Sequence, residues 1–221
     1  MIKHSVLKHK FLSQMSVIVV VLLMMTMSSQ LLAIDDRQPE QIVEETSTTV
    51  LNLINEKNDQ LREDPAQINA LINDVVIPIM DLNSMGKLIL GKYWKTASEA
   101  QREGFVTEFK DMLIRTYAKS IVDFGHAKIN ILPARDQGES KYYTVQSELD
   151  VGSGKAPLQV AYIFRKNKQV EWKVFDLAVD GLSLVKNFRT SFSQEIKETS
   201  LDALIERLAS TNKTGAVDAV E

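Results

Sequence analysis

Cysteine is absent from all 221 residues. Its absence removes disulfides, thiol nucleophiles, cysteine metal sites and a lipidated N-terminus together. Histidine is almost as scarce, with only His4, His9 and His126. The first two fall in an N-terminal segment treated below. A histidine base could therefore rest only on His126, and a histidine metal cluster is excluded. We read His126 as an ordinary surface or strand-entry residue. No apolar run is long enough to span a bilayer comfortably. No period of repeat and no low-complexity tract is present. Basic excess is missing too: 26 Lys and Arg face 29 Asp and Glu, a formal charge of −3. An acidic chain is not a nucleic-acid binder by bulk electrostatics. Carboxylate-pair catalysis survives these exclusions, but no two acids stand out from the solvated majority.

What is present begins with a chemically distinct N-terminus. Lys3, Lys8 and Lys10 precede an apolar run from Val17 to Met27, and no acid accompanies them. A basic stretch followed by a short apolar core reads as a secretory signal peptide over residues 1–33. Ala33 suits the last position before cleavage, but Leu31 is a poor match two places earlier, and Ser29 competes. An uncleaved inner-membrane anchor is the alternative. Removing three lysines and no acid takes the formal charge from −3 to −6. The chain as a whole has the 44% hydrophobic and 25% charged composition of a globular protein. We expect one domain over 34–212 and a loose polar tail over 213–221.

Helical periods come first in that domain. Pro39 opens a helix with Ile42, Thr46, Val50, Leu53 and Ile54 on one stripe. A second helix starts at Asp64–Pro65 and must break or end at Pro78. A third, short one follows Asp81, with Gly91 as its stop. The fourth is the clearest, and either Thr96 with Glu99 or Ser98 with Gln101 can form its capping box. Its apolar residues span about half the circumference, more than one sheet requires. They imply core on two sides, or core and a cavity; plain core is the simpler expectation.

From His126 the period changes to two. Four strands follow within 126–136, 141–152, 156–167 and 169–181, joined by short polar gaps that suit hairpins. The expected sheet is an antiparallel four-stranded β-meander. Tyr143, Val145, Ser147, Leu149 and Val151 share one face; so do Leu158, Val160, Tyr162 and Phe164, and Val170, Trp172 and Val174. The opposite faces are largely polar, so helices should cover one side of the sheet and water the other. At "DLAVDGLSLVKNFRTSF", 176–192, the chain turns a corner at Gly181 into a helix with Leu184, Phe188 and Phe192 inward. A last helix begins at Ser200. Helices, then a meander, then helices make an α+β domain.

Three stretches of this chain resemble the MlaC, or toluene-tolerance, family of periplasmic phospholipid-binding proteins. They are "VVIPIMDLNSMGKLILGKYWKTAS", "FVTEFKDMLIRTYAKSI" and "WKVFDLAVDGLSLVKNFRTSF". Asp180, Leu182 and Phe188 stand where the family often has Glu, Val and Tyr. The resemblance spans about 40–210. It implies an NTF2-like cone that holds acyl chains in an apolar cavity between sheet and helices, with no cofactor. It also implies a diffusing shuttle, expected to be a monomer. Its partners would be phospholipid, an outer-membrane lipoprotein–porin complex and an inner-membrane ABC transporter complex. Such a carrier answers a physical need: tails exposed to water cost about 0.8 kcal/mol per CH₂, on the order of 24 kcal/mol for a whole phospholipid.

On this reading the lipid-binding candidates are Phe105, Phe109, Leu113, Tyr117, Val145, Leu149, Val160, Tyr162, Trp172, Val174 and Phe188. Each is equally what a dry core needs. Lys92, Arg115 and Arg189 could meet a headgroup phosphate or simply be solvated. Two other readings stay open. One is an exported protein-binding or chaperone module using an apolar face. The other is an enzyme built on Asp176 or Asp180, disfavoured by the missing nucleophile motifs.

Overall fold

A computed structural model describes residues 37–134, 140–152, 154 and 156–214. The signal-peptide segment and the last seven residues lie outside the described residues. Helix α1 (Pro39–Glu63) starts with proline, and α2 (Pro65–Leu71) is capped by Asp64, which accepts the Ala66 N–H at 2.9 Å. Ahead of Pro78 the backbone rewinds into a π segment, Ile72–Val76, and then a 3₁₀ turn, Ile77–Ile79. Pro78 has no N–H for the carbonyl four residues back, and its ring would strike it. Helix α3 (Leu82–Leu90) is capped by Asp81 and ends at Gly91, whose φ of 54° suits glycine. Helix α4 (Lys92–Thr96) is one turn long. Helix α5 (Glu99–Asp123) uses the Ser98–Gln101 capping box, with reciprocal bonds of 3.1 and 2.9 Å.

The sheet has five strands rather than four. Strands β1 (Lys128–Ile131), β2 (Tyr142–Asp150), β3 (Leu158–Lys166), β4 (Trp172–Val179) and β5 (Leu182–Ser183) follow one another as an antiparallel meander. The two-residue β5 was invisible to an alternation argument that needs four or more residues. It closes an Asp180–Gly181 hairpin in which both residues have positive φ, 48° and 82°. Helix α6 (Leu184–Glu198) leaves directly from β5, and α7 (Leu201–Thr214) runs two residues into the segment expected as tail.

Val170 is not part of β4. It sits in the β3–β4 loop with φ 66° and is 60% exposed. Asn167 builds that loop: its Oδ1 accepts the N–H groups of Gln169 and Glu171, and its Nδ2 donates to Glu171.

The expectation of one covered face and one wet face needs correcting as well. Val145, Phe164 and Val174 pack beneath Ile42 and Val43 of α1, as a one-sided sheet would. A β-bulge then sets Phe164 opposite Val174 and Ile163 opposite Asp176, leaving Phe175 as the extra residue. Phe175 turns to the other face and joins the core of α3, α5, α6 and α7, with Ile163 beside it. Arg165 follows it there, 3.2 Å from Asp81 and bonded to Ser84, with its guanidinium 5.5 Å from the Phe175 ring. So α3 and α6 cover the β4 end of the face expected to be wet.

Helix α5 divides its wide apolar surface. Phe105, Phe109, Met112 and Leu113 enter the core with α3, α6 and α7. Ile114, Ala118 and Val122 enter a second cluster with Ile54 and Leu61 of α1 and Ile68 and Leu71 of α2. Just beyond α5, Gly125 lets α1 approach: a Cβ there would lie 2.2 Å from Ile54 Cγ2. Gly125→Ala should therefore cost about 1–3 kcal/mol of unfolding free energy in urea titrations. Val170→Asn should do the reverse, raising the urea midpoint by the equivalent of ~1 kcal/mol, because asparagine tolerates the left-handed region and little burial is lost.

Candidate functional site

A cavity of ≈ 500 Å³ opens beside the β4–β5 corner. Three walls define it. Ile72, Val76, Ile77 and Met80 come from the π and 3₁₀ segments; Leu113, Ile114, Tyr117 and Ile121 from α5; Leu177, Val179, Leu182 and Leu184 from the corner and the start of α6. Asp180, Ser183 and Asn187 complete the lining. The volume lies within the range of ordinary ligand sites. Its mouth is apolar and exposed: Tyr117 is 38%, Val179 44% and Leu182 77% accessible.

Side-chain chemistry at the corner is already used by the fold. Asp176 Oδ1 accepts the Leu177 N–H at 2.9 Å and the Val185 N–H at 3.0 Å, and Oδ2 accepts the Ser183 hydroxyl at 2.5 Å. Ser183 in turn caps α6 through the Lys186 N–H at 3.1 Å. Asp180 Oδ1 accepts the Gln159 N–H at 3.0 Å. The two carboxylates considered for acid–base work thus hold a strand end, a hairpin and a helix N-terminus. His126 is distant from this chemistry, donating from Nε2 to the Val151 carbonyl at 3.0 Å. Among the described residues no cluster of three or more His, Asp or Glu could hold a metal ion.

Burial raises the Tyr117 phenol above its usual value, so it meets the cavity as a neutral group. Tyr162 is raised likewise, chiefly by burial. Tyr143 is raised first by its 2.5 Å hydrogen bond to Glu40 of α1.

Of the eleven residues expected at a lipid site, Leu113 and Tyr117 line this cavity. Phe105, Phe109 and Phe188 lie together in an aromatic stack with Phe192, with centroids 5.3–6.4 Å apart. Val145 and Val174 are buried beneath α1, with Tyr162 and Trp172 packed against them. Leu149 pairs with Leu158 on the same half-buried face. Tyr162 and Val160 pair directly with Leu177 and Val179, which line the cavity, but do not line it themselves. The π-segment residues, Ile114, Ile121 and the lip residue Leu182 were not among those expected. The run "VVIPI" carried a signal: it is too apolar for a surface stretch, and its proline denies it a regular helix.

A second, wider groove of ≈ 780 Å³ lies among α1, α2, α5 and α7. Charged side chains line it, with Arg62 3.0 Å from Asp123 and Asn212 bonded to Glu108. It offers less to an acyl chain than the apolar cavity does. Among the described residues no helix is long and apolar enough to cross a membrane.

Comparison with known proteins agrees with this geometry. A solved phospholipid-binding protein from Ralstonia solanacearum, in complex with a phospholipid, superposes with a TM-score of 0.73 at 23% identity, covering 81% of this chain and 99% of that one. It shows the same fold. The intermembrane phospholipid transport system binding protein MlaC of Haemophilus influenzae is 24% identical over 80% of this chain and 83% of its own. Toluene tolerance protein ttg2D of Pseudomonas putida is 26% identical over 74% and 75%. A family model described as MlaC protein matches residues 44–210. The chain therefore belongs to the MlaC family.

Proposed function

We propose that this protein is a periplasmic phospholipid carrier, not an enzyme, which buries acyl chain in the cavity between α5, the π segment and the β4–β5 corner. The observation that carries the reading is the lining: ≈ 500 Å³ walled mainly by aliphatic side chains, with the nearby carboxylates bonded into the fold. The cavity opens to water, so its aliphatic walls are apolar surface left unburied, at a cost of about 25 cal/mol per Å². A lipid tail removes that cost and supplies its own burial. The names of the relatives, one a transport-system binding protein and one solved with phospholipid, support the same reading.

A methylene occupies roughly the volume of a water, about 30 Å³. The cavity as it stands takes one acyl chain of ordinary length. A second chain requires the wall to open, and the sheet face beyond Leu177 and Val179 offers Val160, Tyr162 and Leu149 to receive it. The π segment is the wall that moves, because its irregular bonds resist rewinding less than a regular helix. The headgroup stays in water, so headgroup selectivity is weak. In the cell the carrier exchanges lipid between an outer-membrane lipoprotein–porin complex and an inner-membrane ABC transporter complex.

Native mass spectrometry of the purified protein, followed by lipid extraction, should find stoichiometric phospholipid. A clean apo mass, with no uptake from vesicles, would overturn the carrier in favour of a protein-binding module. Ile121→Trp fills the cavity from α5 and should lower bound lipid by about tenfold or more, because its ring takes space an acyl chain would occupy. Its melting temperature should be maintained, since the new ring occupies a void.

A further inference from the structure

We infer that the cavity mouth and the adjoining α3–α6 face form a docking surface for an anionic lipid bilayer. The face is built from two stretches that carry no acid. Residues 82–98 contain Lys87, Lys92 and Lys95, and residues 181–194 contain Lys186 and Arg189. All five side chains are exposed. Tertiary structure brings the two stretches together: α3 and α6 pack along one another, and the Arg189 guanidinium lies against Gly91, 3.2 Å from where a Cβ would stand. Among the described residues none of the five takes part in an ion pair, whereas Arg165 and Arg207 are each matched to a carboxylate. On a chain with an acid excess, an unneutralised cationic face is a local exception.

The apolar half of the face is the mouth itself. Leu182 is 77% exposed at the tip of the β4–β5 hairpin, with Val179 and Tyr117 beside the same cavity. Lys186 and Arg189 stand in the first two turns of α6, within about 8 Å of its start. A protruding aliphatic side chain backed by cations fits the interface of an anionic leaflet: the apolar tip enters the headgroup boundary and the cations meet phosphates. Asp180, the acid nearest the tip, is turned back onto the Gln159 N–H, and Asp176 caps α6. The exposed Asp74 belongs to the π segment instead. An acidic protein surface would match the cations but would leave Leu182 without a reason.

This inference rests on the carrier reading, because a tail must pass from bilayer to cavity without crossing water. The test is separate. Flotation of the purified protein, with no partner present, would be measured on vesicles of phosphatidylcholine alone and of phosphatidylcholine mixed equally with phosphatidylglycerol. Binding should appear on the anionic vesicles and be lost at high salt. The double variant K87Q/K186Q should bind more weakly by roughly fivefold per cation removed, while keeping its melting temperature and its copurified lipid. Leu182→Ser should weaken binding by about tenfold. Equal binding to both vesicles, no binding to either, or an unaffected K87Q/K186Q variant would each overturn the docking face. If the protein still copurified with lipid in those cases, the carrier would stand without it.

Discussion

The carboxylate of Asp176 holds the end of β4 to the beginning of α6, and the cavity depends on that junction. Its two oxygens satisfy two backbone N–H groups and the Ser183 hydroxyl, so the helix N-terminus gains both a cap and a favourable charge. With α6 anchored there, Leu177, Val179, Leu182 and Leu184 form one wall of the cavity. The same anchoring carries Phe188 and Phe192 into the aromatic stack with Phe105 and Phe109. One half-buried acid thus sets both the packed and the unpacked side of the corner, which explains a stretch so fully specified yet poor in reactive chemistry.

Core and cavity are made of the same residue types, and what separates them is the backbone around them. Regular helices α3, α5, α6 and α7 interdigitate until the space between them is full, as helix ridges and grooves allow. The third wall of the cavity is the segment 72–80, where a π turn, a 3₁₀ turn and Pro78 replace a helix. Irregular backbone cannot present evenly spaced side chains, so the fit fails on that side and space remains. Helix α5 touches both environments: Phe109 is fully enclosed, while Tyr117, two turns later, reaches a mouth open to water.

A carrier benefits from this division. Affinity for a lipid tail has to compete with a membrane that solvates tails equally well, so a modest cavity with one compliant wall is enough. Rigidity is supplied elsewhere, by the aromatic stack, the capped helices and the bulged sheet. Polar groups near the cavity, Asp176, Asp180 and Ser183, are hydrogen-bonded within the fold and so stabilise the walls.

Much of the architecture was legible from residue patterns. The Pro39, Asp64 and Ser98 helix starts, the Gly91 stop, the two-residue alternation of the meander and the Gly181 corner are local signals, each set by backbone sterics or capping within a few residues. Val170 was misplaced because its alternation matched β4 while the Asn167 loop dictated its conformation. The bulge at Phe175 was hidden because it depends on the register with β3. The cavity lining was hardest to read: Phe105, Phe109 and Phe188 carry the same apolar signature as Leu113 and Tyr117. Local composition and spacing determined the elements, their order and the absence of thiol chemistry. Tertiary structure alone decided which apolar side chains close on one another and which border open space, because packing is a relation between surfaces far apart along the chain.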